Sequence, residues 1–357
     1  MKNIKFELTE NSIKWKGYTL YQIKACKAFT TNGGVSVSEG ELGGWIEKEE
    51  NLSQEGSAWI WDEVKVCGTA RVAGNAEIWS NATICGNAKV YGNAKIYGDT
   101  VTGGNANVFG DATICGDARI SGNARIYDNA EVWDAARIGG DTKVFGDSKV
   151  YGNADIWGNA KVSGNSTICG NAEVRDNAEV FGNAQIYGDA KVGGNAKISD
   201  YAKIRDGAEI WGNTTISDYA EIWENAVVRD NAEISGNAKI FGNAAIKGNA
   251  KVAGNAIIYG DAEIWGDSEI SGDSKISGDA KIGGDAFISS PDNIITIAPI
   301  GKYKVSLTVF RTKNNSIKVS YNWDIYTLEK FQSVMNDWTE KEQKIVKAAI
   351  EILGGNE

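Results

Sequence analysis

The chain has 357 residues, a formal net charge of −10 and no histidine. Because histidine is the commonest general base and the commonest zinc ligand, its absence argues against histidine-based acyl transfer and against a zinc site. The first residues contain no apolar run, and no apolar stretch reaches the length of about 18 residues that a membrane span requires. We therefore expect no signal peptide and no membrane segment, and five cysteines at scattered spacing are typical of the reducing cytoplasm.

Residues 1–57 precede the repetitive part of the chain and predict a small N-terminal β cap. Such a cap would cover the unpaired backbone at the end of a repeat array. The stretch GELGGWIE, which begins at Gly40, leads from the cap into the repeat. Alternating apolar residues before it predict two strands around a turn at residues 10–12; they are Ile4, Phe6, Leu8, Ile13 and Trp15.

Residues 58–290 repeat a six-residue unit of the form GNAKVY. Every sixth residue from Ile60 to Ile288 is Ile or Val, with the single exception of Thr102. This alternation predicts a short strand with one buried face, and the following Gly-Asn pair predicts a sharp corner. Because such strands bury their apolar face only by stacking, the repeat predicts an all-β solenoid of about 13 triangular coils, with three six-residue units per coil.

Residues 291–357 leave the six-residue period and predict a small C-terminal α+β domain. Alternating residues around Val309 and Val319, with a turn at residues 313–315, predict a β-hairpin. Thr327 is placed to cap one helix. Thr339 and Glu342 form a capping box for a second helix.

Residues 18 apart lie above one another on triangular coils, so the outward positions form columns. One of them, the aromatic column, is a predicted protein interface with homo-oligomerisation as its simplest use. The column consists of Trp61, Trp79, Tyr97, Trp133, Tyr151, Tyr187, Trp223, Phe241 and Tyr259. Ladder stacking and β propensity are the alternative explanation of this aromatic bias. Charges that alternate beside the column predict cross-strand ion pairs; these residues are Glu77, Lys95, Glu131 and Lys149.

A second set of outward residues combines rings with cations and is a candidate anionic-ligand face, here called the basic aromatic face. It consists of Arg71, Lys89, Tyr91, Phe109, Arg125, Tyr127, Lys143, Phe145 and Lys161. Aromatic platforms beside cations suit bases and phosphates. Acidic corners on both sides oppose a long polyanion, so a small nucleotide is the expected ligand and direct nucleic-acid binding is not expected. An ordinary solvated strand face is the alternative.

Most acidic residues of the repeat occupy corners, where they are either turn residues in place of Asn or the surface of a nucleic-acid mimic. Asp261 is expected to stack with Asp279, and Asp267 with Asp285. Carboxylates at such spacing can hold calcium, but an acidic rim with counterions is the simpler interpretation, so we expect no metal and no cofactor. Asp155 and Glu173 are the remaining candidates for a general base, and no residue is assigned as catalytic.

Cys67 and Cys85 are 18 residues apart in one outward column, so the sequence predicts that their side chains are neighbours. A functional cysteine pair and two free thiols are both compatible with this spacing. Two free thiols is the interpretation we adopt.

The layout of cap, repeat and C-terminal domain resembles a family of hexapeptide-repeat proteins common in phages and prophages of Gram-positive bacteria. The resemblance rests on the segment GELGGWI, on the repeated G-N/D-A, and on FRTK-x-x-x-IKVS ahead of TLEKF. It implies a left-handed parallel β-helix and a site of action in the cytoplasm of a bacterial host cell. Proteins of this family are often described as acyltransferase-like, because enzymes with related repeats transfer acyl groups.

These observations favour a non-enzymatic scaffold that acts by binding proteins, as a homo-oligomer or by blocking a host factor such as a defence system. Nucleic-acid mimicry by the acidic corners is one form of that hypothesis. An acyltransferase-like enzyme and a nucleotide-binding sponge are the two alternatives. The sequence does not identify the protein partner.

Overall fold

The structure, a computed structural model, describes residues 4–354. The chain divides between Gly188 and Asp189 into two compact units. Both units are parallel β-solenoids, and the second unit also carries a small antiparallel sheet and two helices. This confirms the predicted all-β solenoid with a C-terminal α+β part. The left-handed winding stays a prediction from the family resemblance.

The first unit contains three sheets built mainly of short parallel strands. Sheet 1 begins with the antiparallel cap strands Phe6–Trp15 and Tyr18–Ala25. It continues with Leu42–Ile46, Lys65–Val66, Thr83–Ile84, Val101–Thr102, Arg119–Ile120, Arg137–Ile138, Asp155–Ile156 and Glu173–Val174. Sheet 2 consists of Arg71–Val72, Lys89–Val90, Asn107–Val108, Arg125–Ile126, Lys143–Val144, Lys161–Val162 and Glu179–Val180. Sheet 3 consists of Trp59–Ile60, Glu77–Ile78, Lys95–Ile96, Thr113–Ile114, Glu131–Val132, Lys149–Val150, Thr167–Ile168 and Gln185–Ile186.

The second unit repeats this arrangement. Sheet 4 consists of Lys191–Val192, Glu209–Ile210, Val227–Val228, Ala245–Ile246, Glu263–Ile264 and Lys281–Ile282. Sheet 5 consists of Lys197–Ile198, Thr215–Ile216, Glu233–Ile234, Lys251–Val252, Glu269–Ile270 and Phe287–Ile288. Sheet 6 consists of Lys203–Ile204, Glu221–Ile222, Lys239–Ile240, Ile257–Ile258 and Lys275–Ile276.

Within each unit, strands pair in register with partners 18 residues away, for example Lys89 with Asn107 and Val90 with Val108. The inward Ile and Val residues are buried, as are the small residues two positions before them. The first residue of each corner takes the left-handed conformation, with φ of +67° at Gly86 and +60° at Asp176. The predicted period of 18 residues and the predicted corners are therefore confirmed.

The N-terminal cap differs from the prediction in its first strand. Phe6–Trp15 is one strand with a register shift between Leu8 and Ser12, so the predicted turn at residues 10–12 is wrong. The hairpin turns instead at Lys16 and Gly17, both at positive φ, and returns as Tyr18–Ala25. A bulge absorbs residues 9–11, between the paired residues Leu8 and Ser12, without reversing the chain. The cap also contains Phe29–Thr30, Ser36–Val37 and the short helix Glu49–Asn51.

The cap joins the solenoid through Leu42–Ile46, where Trp45 and Ile46 pair in parallel with Lys65 and Val66. The glycines of GELGGWI allow this close approach. A Cβ atom on Gly43 would lie 2.6 Å from the Ile60 carbonyl oxygen, and one on Gly44 would lie 2.9 Å from that of Val64. Both distances are shorter than real Cβ contacts, so this segment needs glycine for packing.

Lys5 covers backbone carbonyls at the exposed end of the first coil. Its buried ammonium group donates hydrogen bonds to the carbonyl oxygens of Ala58, at 2.8 Å, and Gly56, at 3.4 Å. Burial, with a smaller contribution from the charge of Lys27, lowers the pKa of Lys5 to about 8. The side chain thus satisfies acceptors that no further coil is present to pair.

The C-terminal part of the second unit is a four-stranded antiparallel sheet covered by two helices. Its strands are Ile294–Ile300, Val305–Arg311, Ile317–Tyr321 and Asp324–Thr327, after the short helix Pro291–Asn293. The helices are Leu328–Val334 and Glu340–Ile352. The hairpin, the Thr327 cap and the Thr339–Glu342 capping box are confirmed. The two outer strands went unpredicted.

This sheet packs on the last coil of the same unit. The Lys318 ammonium group lies 2.7 Å from the Asp285 carboxylate, and its hydrogen bond lowers the pKa of Asp285. The backbone N–H of Lys313 donates to the Asp285 carbonyl oxygen at 3.0 Å. Both lysines belong to the segment FRTK-x-x-x-IKVS, so that segment attaches the C-terminal sheet to the solenoid.

Candidate functional site

The aromatic column of the first unit is a ladder of rings on the outside of sheet 3. The rings of Trp61 and Trp79 stack at 4.9 Å between centroids and 11° between planes, and Tyr97 meets Trp79 edge-on at 6.3 Å. Trp133 and Tyr151 stack at 4.8 Å. Parallel coils place successive rings at the spacing of the strands, which suits aromatic stacking.

The beginning of this column is buried, and the N-terminal cap contacts the residue beside it, Glu77. Trp61 is only 9% exposed, and Glu77 is buried, with its carboxylate accepting a hydrogen bond from the backbone N–H of Gly33. Trp61 is therefore a poor anchor for a partner, and Glu77 is not part of a surface row of alternating charges. Tyr97, at 40% exposed, is the first ring of the column that is well exposed.

The second unit has a ring stack of its own, formed by the column residues Trp223, Phe241 and Tyr259 on the outside of sheet 6. Successive centroids are 4.4 and 5.1 Å apart. The guanidinium of Arg205 lies 4.8 Å from the Trp223 ring centroid and occupies the next position of the column. A cation on the end of a ring stack interacts favourably with the ring face.

Beside the column, the predicted cross-strand ion pairs form in part. The Lys149 ammonium lies 3.8 Å from the Glu131 carboxylate and 6.0 Å from the Trp133 ring centroid. A half-exposed pair at this distance contributes little to stability.

The basic aromatic face is present on sheet 2 as a regular stack. The rings of Tyr91, Phe109, Tyr127 and Phe145 follow one another at 4.9 Å with 1° between planes. The guanidinium of Arg125 lies 5.6 Å from the Phe109 centroid and 5.7 Å from that of Tyr127. The four aromatic rings of the predicted face are therefore neighbours in the structure.

The cations of this face occupy neighbouring strands of sheet 2. Lys89 pairs in register with Arg71, and Lys143 pairs with both Arg125 and Lys161. Lys161 is also held by Glu179 at 2.6 Å. Like charges on adjacent strands repel each other, so an anion placed over Arg125 and Lys143 would be stabilised.

The corner acids have hydrogen-bonding roles in the solenoid. Asn side chains donate along each corner to the residue one coil onward, and these ladders end on an aspartate, as in Asn93 to Asp111 at 3.0 Å and Asn123 to Asp141 at 2.7 Å. Aspartates in the first corner position accept from a backbone N–H one coil onward, as Asp218 does from Gly236 at 2.8 Å. Their architectural role supports the interpretation as turn residues.

Cys67 and Cys85 lie in contact, with 2.6 Å between their sulfur atoms. The hydrogen bond with Cys85, together with burial, raises the pKa of Cys67, whereas the same hydrogen bond lowers that of Cys85. The predicted neighbours are therefore confirmed. Both residues are free thiols in the structure.

The two carboxylates considered as general bases have other contacts. The Asp155 carboxylate accepts from the indole N–H of Trp157, and the Glu173 carboxylate lies 3.7 Å from Arg175. Residues 4–354 contain no cluster of three His, Cys, Asp or Glu side chains that could hold a metal ion. Within the same range, no helix combines the length and apolarity needed to cross a membrane.

A family model described as YdcK Beta solenoid repeat matches residues 118–140, within the first unit. This stretch contains one full coil and part of the next, with strands in all three sheets of that unit. A search of curated proteins gave no match. The chain is thus similar to a known β-solenoid repeat over this segment.

Proposed function

We propose that this protein is a non-enzymatic scaffold of phage or prophage type that acts by binding proteins, with self-association through the aromatic column as its simplest form. The observation that carries the proposal is the ladder of stacked, half-exposed rings. Stacking fixes each ring, so little side-chain entropy remains to be lost when a second surface packs against it. Trp and Tyr are also the residues most enriched among interface anchors.

The proposed site of action is the cytoplasm of a bacterial host cell. There the remaining surface would block a host factor, for example a component of a defence system. The family resemblance supports this assignment. Nucleic-acid mimicry is a less supported form of the proposal, because the corner acids already serve as hydrogen-bond acceptors within the solenoid.

Replacing three rings of the column with serine, in a Trp133→Ser/Tyr151→Ser/Trp223→Ser variant, is expected to abolish self-association. Wild type should scatter light with a mass that is a multiple of 38.3 kDa, and the variant should scatter as a single chain of 38.3 kDa. The reason is that interface anchors of this size each contribute about 2 kcal/mol or more. Circular dichroism should show the same strand content in both.

The matched control changes rings on the other face, in a Phe109→Ser/Tyr127→Ser variant, and should keep the wild-type mass. Wild type that remains at 38.3 kDa at every concentration would contradict self-association. An equal loss of mass in both variants would show that folding, and not the column, was affected.

A second candidate function, nucleotide binding, is favoured by the four parallel rings beside Arg125. A base stacking on a ring of this face is expected to gain about 1–3 kcal/mol, with its phosphate held by the adjacent cations. A thermal-shift titration with a nucleotide panel should then raise Tm, and Tyr127→Ala or Arg125→Ala should remove the rise. A shift that survives both substitutions would place nucleotide binding elsewhere.

A further inference from the structure

The second unit contains a cavity of about 460 Å³ between its last coils and the C-terminal sheet. Asp261, Asp279 and Lys281 contribute to its wall from the solenoid side, and Ser320 and Trp323 contribute from the sheet. None of these residues belongs to the aromatic column or the basic aromatic face. The cavity is therefore a separate feature that the proposed scaffold role leaves unexplained.

The cationic groups at this cavity are already paired within the protein. The Glu263 carboxylate lies 3.1 Å from Lys247 and 2.7 Å from Lys281, and Lys304 lies 2.6 Å from Glu342. The positive charges of these lysines are therefore compensated by neighbouring carboxylates. Only charges outside these pairs remain to attract a ligand.

Asp261 and Asp279 lie one coil apart at the same corner, and among residues 4–354 neither forms an ion pair within 4.0 Å. Asp261 accepts a hydrogen bond from the Asn243 side chain at 2.8 Å, which leaves its charge uncompensated. The next corner of the solenoid offers a contrast. There Asp285, one coil after Asp267, is neutralised by Lys318 at 2.7 Å.

Trp323 is held over the cavity at a conformational cost. It forms the turn of its hairpin with Asn322, at φ of +74° and +51° respectively. Glycine is the residue preferred at the second position of such a turn, and a bulky side chain is strained there. Trp323 is nevertheless 62% exposed, and the Lys281 ammonium lies over one face of its ring, 3.6 Å from the centroid. Backbone strain of this kind is concentrated at functional sites. Because the Trp323 side chain is exposed, core packing does not account for it, and a role in binding does.

Ser320 supplies an independent observation in the same wall. The residue is 1% exposed, and its hydroxyl has no hydrogen-bond partner. A buried polar group without a partner is costly, and such groups are uncommon in native proteins. A ligand that hydrogen-bonds to this hydroxyl would remove the cost.

We propose that this cavity binds a guanidinium group, with Asp261 and Asp279 accepting its N–H donors and with the face of Trp323 opposite Lys281 stacking on its plane. Two carboxylates one coil apart, about 4.8 Å, match the planar fork of a guanidinium better than the point charge of an ammonium. A guanidinium also stacks on an aromatic face. The hydroxyl of Ser320 accepts a further N–H. This site does not depend on self-association.

The test is isothermal titration at low ionic strength with N-acetylarginine amide as probe and N-acetylcitrulline amide as its uncharged isostere. The arginine probe should bind saturably, and the citrulline probe should not. Agmatine, a free small guanidine, is the second arm. Tighter binding of agmatine assigns the site to a small molecule, and tighter binding of the blocked arginine assigns it to an arginine side chain on a peptide.

Asp279→Asn should weaken the arginine probe about tenfold or more, since a charged hydrogen-bond acceptor is lost. Asn is native to solenoid corners, so this variant should fold. Asp267→Asn is the matched control, because Asp267 accepts from Asn249 at 2.8 Å as Asp261 does from Asn243. It should bind within about twofold of wild type. Trp323→Gly should also weaken binding without lowering Tm, because glycine suits the turn.

The proposal is overturned if the arginine probe shows no saturable binding, or if the citrulline probe binds as tightly. It is also overturned if Asp279→Asn binds like wild type or if Asp267→Asn loses as much affinity as Asp279→Asn. Each of these results leaves the light-scattering test of self-association unaffected.

Discussion

Trp59→Ala is expected to destabilise the N-terminal cap by about 3–5 kcal/mol. Trp59 is fully buried at the first coil, its ring meets Phe29 edge-on at 5.5 Å, and a Cβ on Gly43 would lie 2.8 Å from it. Truncation would leave a large cavity where the cap contacts the solenoid. Repeat proteins can unfold in parts, so a global unfolding curve would not isolate the cap. The measurement is therefore the hydrogen-exchange rate of the backbone amides in the cap strand Tyr18–Ala25.

Trp79→Ala is the matched control for this prediction. Trp79 is half-buried in the aromatic column and stacks on Trp61, so its loss removes a ring contact but leaves no sealed cavity. Exchange in the cap strand should accelerate strongly in the Trp59 variant and much less in the control. Equal protection in the two variants would show that Trp59 does not hold the cap in place.

Thr102→Val is expected to stabilise the first unit by about 1–2 kcal/mol. Thr102 is the single residue other than Ile or Val at the inward sixth positions of the repeat, and it is fully buried. Its hydroxyl has no hydrogen-bond partner. It pairs in register with Ile84 and Ile120, so a valine of the same shape fits among apolar neighbours. The urea midpoint of unfolding should rise.

Thr113→Val provides the comparison, since Thr113 is an outward residue of the same type and only partly buried. It should leave the midpoint nearly unchanged. A Thr102→Val protein with the wild-type midpoint, or a lower one, would mean that the hydroxyl finds a partner in solution.

The repeat made most of the solenoid predictable, because its six-residue period is also its structural period. Gly86 and Asp176 are examples, since their position in the repeat alone predicts a corner and both have positive φ. The first strand of the cap was less predictable. Nothing local distinguishes the bulge in Phe6–Trp15 from a turn, since the partner strand decides the register.

The candidate sites were predictable as columns but not as exposed surfaces. The 18-residue spacing predicts the stack of Tyr91, Phe109, Tyr127 and Phe145 on sheet 2. It does not predict that the cap buries Glu77, because the hydrogen bond from Gly33 joins segments distant in sequence, nor that Trp61 is only 9% exposed. The guanidinium cavity was missed for the same reason, since Trp323 reaches it from outside the repeat.

Hydroxyl-radical footprinting at two protein concentrations tests the central claim most directly, because it reports the solvent exposure of individual rings. Oxidation of Trp133 and Tyr151 should slow markedly at the higher concentration. Oxidation of the exposed corner rings Tyr201 and Tyr219 should stay constant and serves as the reference. If all four rings are oxidised at the same rates at both concentrations, the aromatic column is not a self-association surface.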